Sequence, residues 1–165
     1  MRLPFLAFLL VAAPLTAFAE DVRVERIDIV DKGIYTVTLG EQTADASVPT
    51  GVASAPDTFK NIESTTDIPG RLDLEFGFRY VIVGAPAGAE VPVEITYTFP
   101  APGLVDPADP KPVPESSITR DKKIGETVYL GYGFENEWEI VPGTWTFAVS
   151  YQGKELARQS FTVSK

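Results

Sequence analysis

From Val22 onward, apolar and polar residues alternate along most of the chain, the two-residue period of a strand that buries one face. The clearest run is Leu72, Leu74, Phe76, Phe78, Tyr80 and Ile82, set against Asp73, Glu75, Gly77, Arg79, Val81 and Val83. Val91, Val93, Ile95, Tyr97 and Phe99 repeat the pattern against Glu94, Thr96 and Thr98. Between these runs, "GAPAGAE" reads as a Gly- and Pro-bearing turn of hairpin length. An earlier, less regular series runs through Val22, Val24, Ile27 and Ile29, then Tyr35, Val37 and Leu39 after Gly33. No window carries a helical stripe. "GKELARQS" holds good helix formers but is too short to nucleate alone, and Phe59 with Ile62 in "DTFKNIEST" allows one loose turn.

Two stretches interrupt the strands. Residues 42–58 are rich in Ala, Ser, Thr, Pro and Asp and read as a long loop, or at most an edge strand. Six prolines fall in the 15 residues from Pro100 to Pro114. Proline donates nothing to a sheet ladder and restricts the residue before it, so no central strand runs here. The loop extends to about residue 116 and reads as a surface connection between two sheets. A polyproline recognition segment is the alternative.

The chain ends on "PGTWTFAVSYQGKELARQSFTVSK". Pro142-Gly143 suits a type II turn. Trp145, Phe147, Val149 and Tyr151 share a face beyond it, Gln152-Gly153 reverses the chain, and Leu156, Phe161 and Val163 line the return. A lone hairpin is not stable, so a second sheet must cover its aromatic face. Trp145 is therefore expected to be core. The expected fold class is all-β: an immunoglobulin-like antiparallel β-sandwich of seven to nine strands, roughly, formed by residues 20–165 as one domain. Ile140, Gly143 and Trp145 resemble the corner before the terminal hairpin of such sandwiches. Trp145 stands in the tyrosine's place there, which keeps the packing role and leaves the corner hydrogen bond open.

Several pieces together resemble a bacterial family known as domain of unknown function 3859: "GIYTV", "STTDIPGRLDLEFGFRYVIVG" and "EIVPGTWTFAVSYQGKELARQSFTV". They occur in the expected order over most of the chain. The resemblance implies an exported or envelope-associated domain with no assigned activity, and it carries over no catalytic residue.

The start of the chain points the same way. One positive charge at Arg2 precedes the uncharged "LPFLAFLLVAAPLTAF", and Ala17-Phe18-Ala19 offers small residues at the −3 and −1 positions. Residues 1–19 thus read as a cleavable signal peptide, too short and too interrupted by Pro4 and Pro14 for a stable membrane span. The expected location is periplasmic or secreted. Without the leader, 13 basic residues stand against 23 acidic ones, a net charge of −10. An acidic surface argues against nucleic acid as a partner.

Candidate chemistry is thin. The chain has no histidine and no cysteine. That removes the ordinary zinc site, the Ser–His–Asp triad and thiol chemistry. No metal or other cofactor is expected: "DPADP", with Asp106 and Asp109, lacks the ligand count of a calcium loop. Glu135, Glu137 and Glu139 alternate in "ENEWEI", and on a strand they share a solvated face. Tyr129, Tyr132 and Trp138 lie in or beside "VYLGYGFENEW", where Gly131 and Gly133 mark a bulge or a close backbone approach. Those three rings form the candidate interaction patch, unless they are core. The leading reading is a non-enzymatic exported module that binds an envelope protein. A glycan or small-ligand binder and a carboxylate-dependent hydrolase are the alternatives.

Overall fold

The structure, a computed structural model, describes residues 21–44 and 51–165. The expected signal peptide lies outside the described residues.

Two antiparallel sheets face each other. The first has the order β2-β1-β4-β9, from β1 (Arg23–Ala44), β2 (Val52–Glu63), β4 (Glu75–Ala85) and β9 (Thr127–Gly133). The second has the order β3-β11-β10-β5-β8, from β3 (Asp67–Pro69), β5 (Glu90–Thr98), β8 (Glu115–Lys123), β10 (Gly143–Tyr151) and β11 (Lys154–Ser164). Only the short β3 runs parallel to its neighbour. Strands β6 (Leu104–Asp106) and β7 (Asp109–Val113) form a separate small hairpin. The fold is an all-β, immunoglobulin-like sandwich with nine strands in its two sheets among the described residues.

The alternating runs become the facing layers. Phe76, Phe78, Tyr80 and Ile82 on β4 have no exposed surface, and Val91, Val93 and Ile95 on β5 close the other side. Trp145 is fully enclosed and meets Phe76, Phe99, Tyr132 and Phe134 with ring centroids 4.9–5.7 Å apart. Edge-to-face aromatic packing of this kind adds to the area term. The Trp145 Nε1–H donates to the Val141 carbonyl at 2.8 Å. The indole therefore performs the upstream corner bond that a tyrosine hydroxyl would otherwise make. At the hairpin tip, Gln152 and Gly153 both take positive φ, which suits a two-residue reversal between right-twisted strands.

Several expectations need correction. Of the two readings of 42–58 the edge strand holds for the described residues 42–44 and 52–58, because β1 and the edge strand β2 pair from Ile34↔Glu63 to Ala44↔Val52. The same strand takes up "DTFKNIEST" as far as Glu63, so the proposed helical turn is absent there. "GAPAGAE" is not a hairpin, since β4 and β5 lie in opposite sheets and the link carries the chain across the core. Conversely, the proline-rich segment joins β5 to β8, which are neighbours in one sheet. It folds as the β6–β7 hairpin, turned at Asp106 by an Ala108 N–H donating to its side chain at 2.8 Å. Leu72 is exposed, because Asp73 takes φ 59° and breaks the run before β4. Gly143 does adopt positive φ, but it opens β10 instead of sitting inside a turn, and its Cα packs against Pro100.

Candidate functional site

The distinctive chemistry lies on the outer face of the four-stranded sheet. Three strands stack their glycines in register there: Gly33 opposite Gly77, and Gly77 opposite Gly131. A Cβ at Gly77 would stand 2.1 Å from the Leu130 carbonyl oxygen and 2.5 Å from Gly131 Cα. A Cβ at Gly131 would run into the Tyr129 phenol. The missing side chains let the rings of Tyr35 and Tyr129 lie down on the sheet, with centroids 4.7 Å apart. Phe59 of β2 stacks on Tyr129 at 5.4 Å.

Polar groups in the flanking rows bind this layer together. Asp31, Arg79 and Tyr129 are direct neighbours on one side of the glycine row, and Tyr35, Glu75 and Gly133 on the other. Arg79 grips Asp31 through both carboxylate oxygens, with its Nε donating at 2.8 Å. The Tyr35 hydroxyl donates to the same carboxylate at 2.5 Å. The Arg79 hydrogen bond is the main reason that the Asp31 carboxyl lies below its ordinary pKa. The Tyr129 hydroxyl donates to Glu75 Oε1 at 2.9 Å. Glu75 is only half-buried by surface area, yet its carboxylate is packed down over Gly133. Burial raises its pKa to about 7, against the lowering effect of the Tyr129 hydrogen bond.

A cleft of about 590 Å³ opens beside Glu75, with Tyr35, Ile62, Arg71, Asp73 and Glu135 also in its walls. Ile62 on its rim is 57% exposed, and the neighbouring Leu72 is 43% exposed. The cleft therefore pairs an exposed apolar residue, Ile62, with charged walls of both signs. Among the described residues, no group of three or more acidic side chains is placed to hold a metal ion.

A family model for a domain of unknown function, DUF3859, matches residues 23–163. The chain belongs to the DUF3859 family. Among solved structures, this DUF3859 chain is similar to an immunoglobulin-like protein from Pseudomonas aeruginosa, at 26% identity and a TM-score of 0.59, over 88% of this chain and 98% of that one. It also aligns with a β-D-glucoside glucohydrolase from Trichoderma reesei at 10% identity and a TM-score of 0.35, over 87% of this chain and 19% of that one. No curated protein matches.

Within this DUF3859 domain, Tyr129, Tyr132 and Trp138 do not share one surface. Neighbouring positions on a strand point to opposite faces, so Tyr129 lies in the outer layer while Tyr132 points inward against Trp145 and Phe99. Trp138 sits in a short 3-10 turn (Glu137–Glu139), half-buried against the core. Gly131 and Gly133 mark close approach, not a bulge, since β9 pairs with β4 without a register break. The turn also removes Glu139 from the expected solvated face. It is fully enclosed, takes a 2.5 Å bond from Asn136 Nδ2, and its carboxyl pKa is raised by burial. Its second oxygen and the Tyr132 hydroxyl are both buried and approach each other without closing a hydrogen bond. Glu135 and Glu137 remain exposed.

Sequence reasoning missed Glu75, Tyr35, Asp31 and Arg79 as a group. The signal that was present is the recurrence of Gly at 33, 77 and 131 in three separate strand runs. Only the pairing of those runs turns it into a row.

Proposed function

We propose that this DUF3859 domain is a non-enzymatic binding module of the bacterial envelope, and that it recognises another protein through the cleft beside Glu75. The observation that carries the reading is the cleft's make-up. Exposed Ile62 stands among walls bearing Arg71, Asp73, Glu75 and Glu135, the mixture of apolar anchor and charged rim that protein partners bury. The aromatic rings in the cleft wall, Tyr35 and Phe134, are 3% and 0% exposed, so they offer little platform for stacking on a sugar. The envelope assignment rests on the leader-like residues 1–19.

The test is affinity capture from an envelope extract, with the wild-type protein and an Ile62→Asp variant side by side. The Ile62 side chain is exposed, so the variant should keep the wild-type melting curve. The expected result is a defined protein recovered by the wild type and lost by the variant. Recovery of that protein by both forms would move the site elsewhere, and recovery of glycan alone would replace the reading.

A further inference from the structure

The cleft has an open strand edge inside it. The ladder between β1 and β4 ends at Tyr35↔Glu75, where β4 begins, and just before it Asp73 takes φ 59° and breaks the extended run. Leu74 and Asp73 bond to Phe134 instead, at 3.1 and 2.9 Å. Strand β1 runs on to Ala44 with only β2 beside it among the described residues. Thr36 and Val37 of β1, Ile62 of β2, Asp73 and Glu135 line the gap that results. We propose that an extended segment of a partner protein enters this gap, adds to β1 beyond Tyr35, and sets a lysine or arginine side chain between Glu75 and Glu135. Such a segment presupposes that the cleft is where a protein partner binds.

The edge offers main chain. Every second residue of a strand turns its N–H and C=O to the same side, so β1 beyond Tyr35 presents polar groups toward the place that β4 has left. Thr36 and Thr38 are exposed there, and Val37 is half-buried. Edge strands are ordinarily blunted by charge, proline or shortness. The run "TVTLG" from Thr36 to Gly40 holds neither charge nor proline. Strand addition to such an edge draws affinity from main-chain bonds and specificity from alternate side chains.

The walls choose the side chain. Among the described residues that line the cleft, Asp73, Glu75 and Glu135 stand against a single cation, Arg71. The Phe134 bonds to Leu74 and Asp73 hold Glu135 beside the start of β4, and the Glu75 carboxylate leans over Gly133, two positions before it. Burial raises the Glu75 pKa to about 7, the Tyr129 hydrogen bond works against it, and the like charge of Glu135 adds to it. A cation set between the two carboxylates relieves that repulsion. Nothing else around Glu75 supplies one. The phenols Tyr35 on β1, Tyr129 on β9 and Tyr97 on β5 have pKa values raised by burial and stay neutral, and the Arg79 guanidinium is bound to Asp31. Exposed Ile62 suits an apolar residue elsewhere on the incoming segment.

Binding then moves a proton. Near neutral pH, Glu75 carries its proton for part of the time, and a cation beside it favours the carboxylate. Association therefore releases that proton, and by linkage a rise in pH through about 7 strengthens binding and then has no further effect.

The experiment titrates purified, isotope-labelled protein with a short peptide that alternates threonine and valine around a central lysine. Its counterpart carries glutamate for lysine. The lysine peptide should shift the amide signals of Thr36, Val37 and Thr38, slow the exchange of alternate ones, and release protons at pH 6 but not at pH 8. The glutamate peptide should bind roughly tenfold more weakly, the equivalent of about 1.4 kcal/mol. Glu135→Gln should narrow that preference, and Glu75→Gln should abolish the pH dependence. A lysine peptide that binds without touching the β1 amides would overturn the strand addition. Equal affinity for the two peptides would overturn the choice of a cation. If neither peptide binds while Ile62→Asp still loses the captured protein, the extended basic segment is wrong and the cleft stands. If the capture is indifferent to Ile62 as well, both fall. A peptide-free dimer already protecting the β1 amides would replace the partner by a second copy of this chain.

Discussion

The two faces of β4 are built on opposite principles. Inward, Phe76, Phe78, Tyr80 and Ile82 are held by sheer removal of apolar surface, and Trp145, Phe147 and Phe161 of the facing sheet meet the Phe76 ring. Outward, Glu75, Gly77 and Arg79 sit in a layer of directed contacts: an ion pair, two phenol-to-carboxylate bonds and stacked rings laid over glycine. The inner face tolerates changes that conserve volume, because burial has no direction. The outer face depends on atoms being absent at Gly77 and Gly131 and on protons being present at Tyr35 and Tyr129. A site of chemical interest belongs where geometry, not area, is the organising force.

The largest effect should come from the inner face. Trp145→Ala empties the centre of the aromatic cluster and orphans the Val141 carbonyl, and it should cost about 3–5 kcal/mol in urea melts. A loss below about 1 kcal/mol would mean that the inner face is not where stability resides.

Gly77→Ala probes the outer face through its missing atoms. The added methyl meets Leu130 and Gly131 main chain, which cannot swing aside as a side chain would, so β4 and β9 must part. The expected cost is about 1–3 kcal/mol, with chemical-shift changes concentrated on Tyr35, Tyr129 and Glu75. A substitution as harmless as an ordinary surface one would dissolve the distinction between the faces.

The mildest test uses pH. The Glu75 pKa is raised to about 7 from 4.5, so the folded state holds this proton more tightly than the unfolded chain does. Stability from this group is therefore intact below about pH 4.5, falls as pH rises toward 7, and stays at its reduced level above. Glu75→Gln keeps an acceptor for Tyr129 and removes the ionisation. The variant should match wild type near pH 4 and exceed it by about 2 kcal/mol at pH 8, after discounting the shift for the exposed part of the side chain. Parallel melting-temperature profiles across that range would show that Glu75 is not confined as described.

How much of this was legible depended on the range of the interaction. The alternation in 74–82, 91–99 and 145–151 identified inner-face residues because a strand's period is local. The reversal at Gln152-Gly153 was equally local. The same reasoning misjudged Glu139, since one turn of 3-10 helix after Asn136 points it inward and nothing in "ENEWEI" announces that turn. It also grouped Tyr129, Tyr132 and Trp138 by nearness in sequence, although odd and even positions of β9 serve opposite faces.

By itself, the sequence determined that the chain is all-β, which side chains of its regular runs fill most of the interior, and that ordinary histidine and cysteine chemistry is closed to it. Those properties follow from residue identity and from periods of two. Tertiary structure decided which strands are neighbours. The four residues 86–89 cross between sheets, while the longer proline-rich stretch returns to the same sheet. Length and composition do not distinguish those routes, because the choice rests on which apolar faces must meet. The row Gly33–Gly77–Gly131, the half-buried Glu75 beside it and the open edge of β9 all arise from that pairing. Each joins residues far apart along the chain, and their contacts exist only once the ladders have formed.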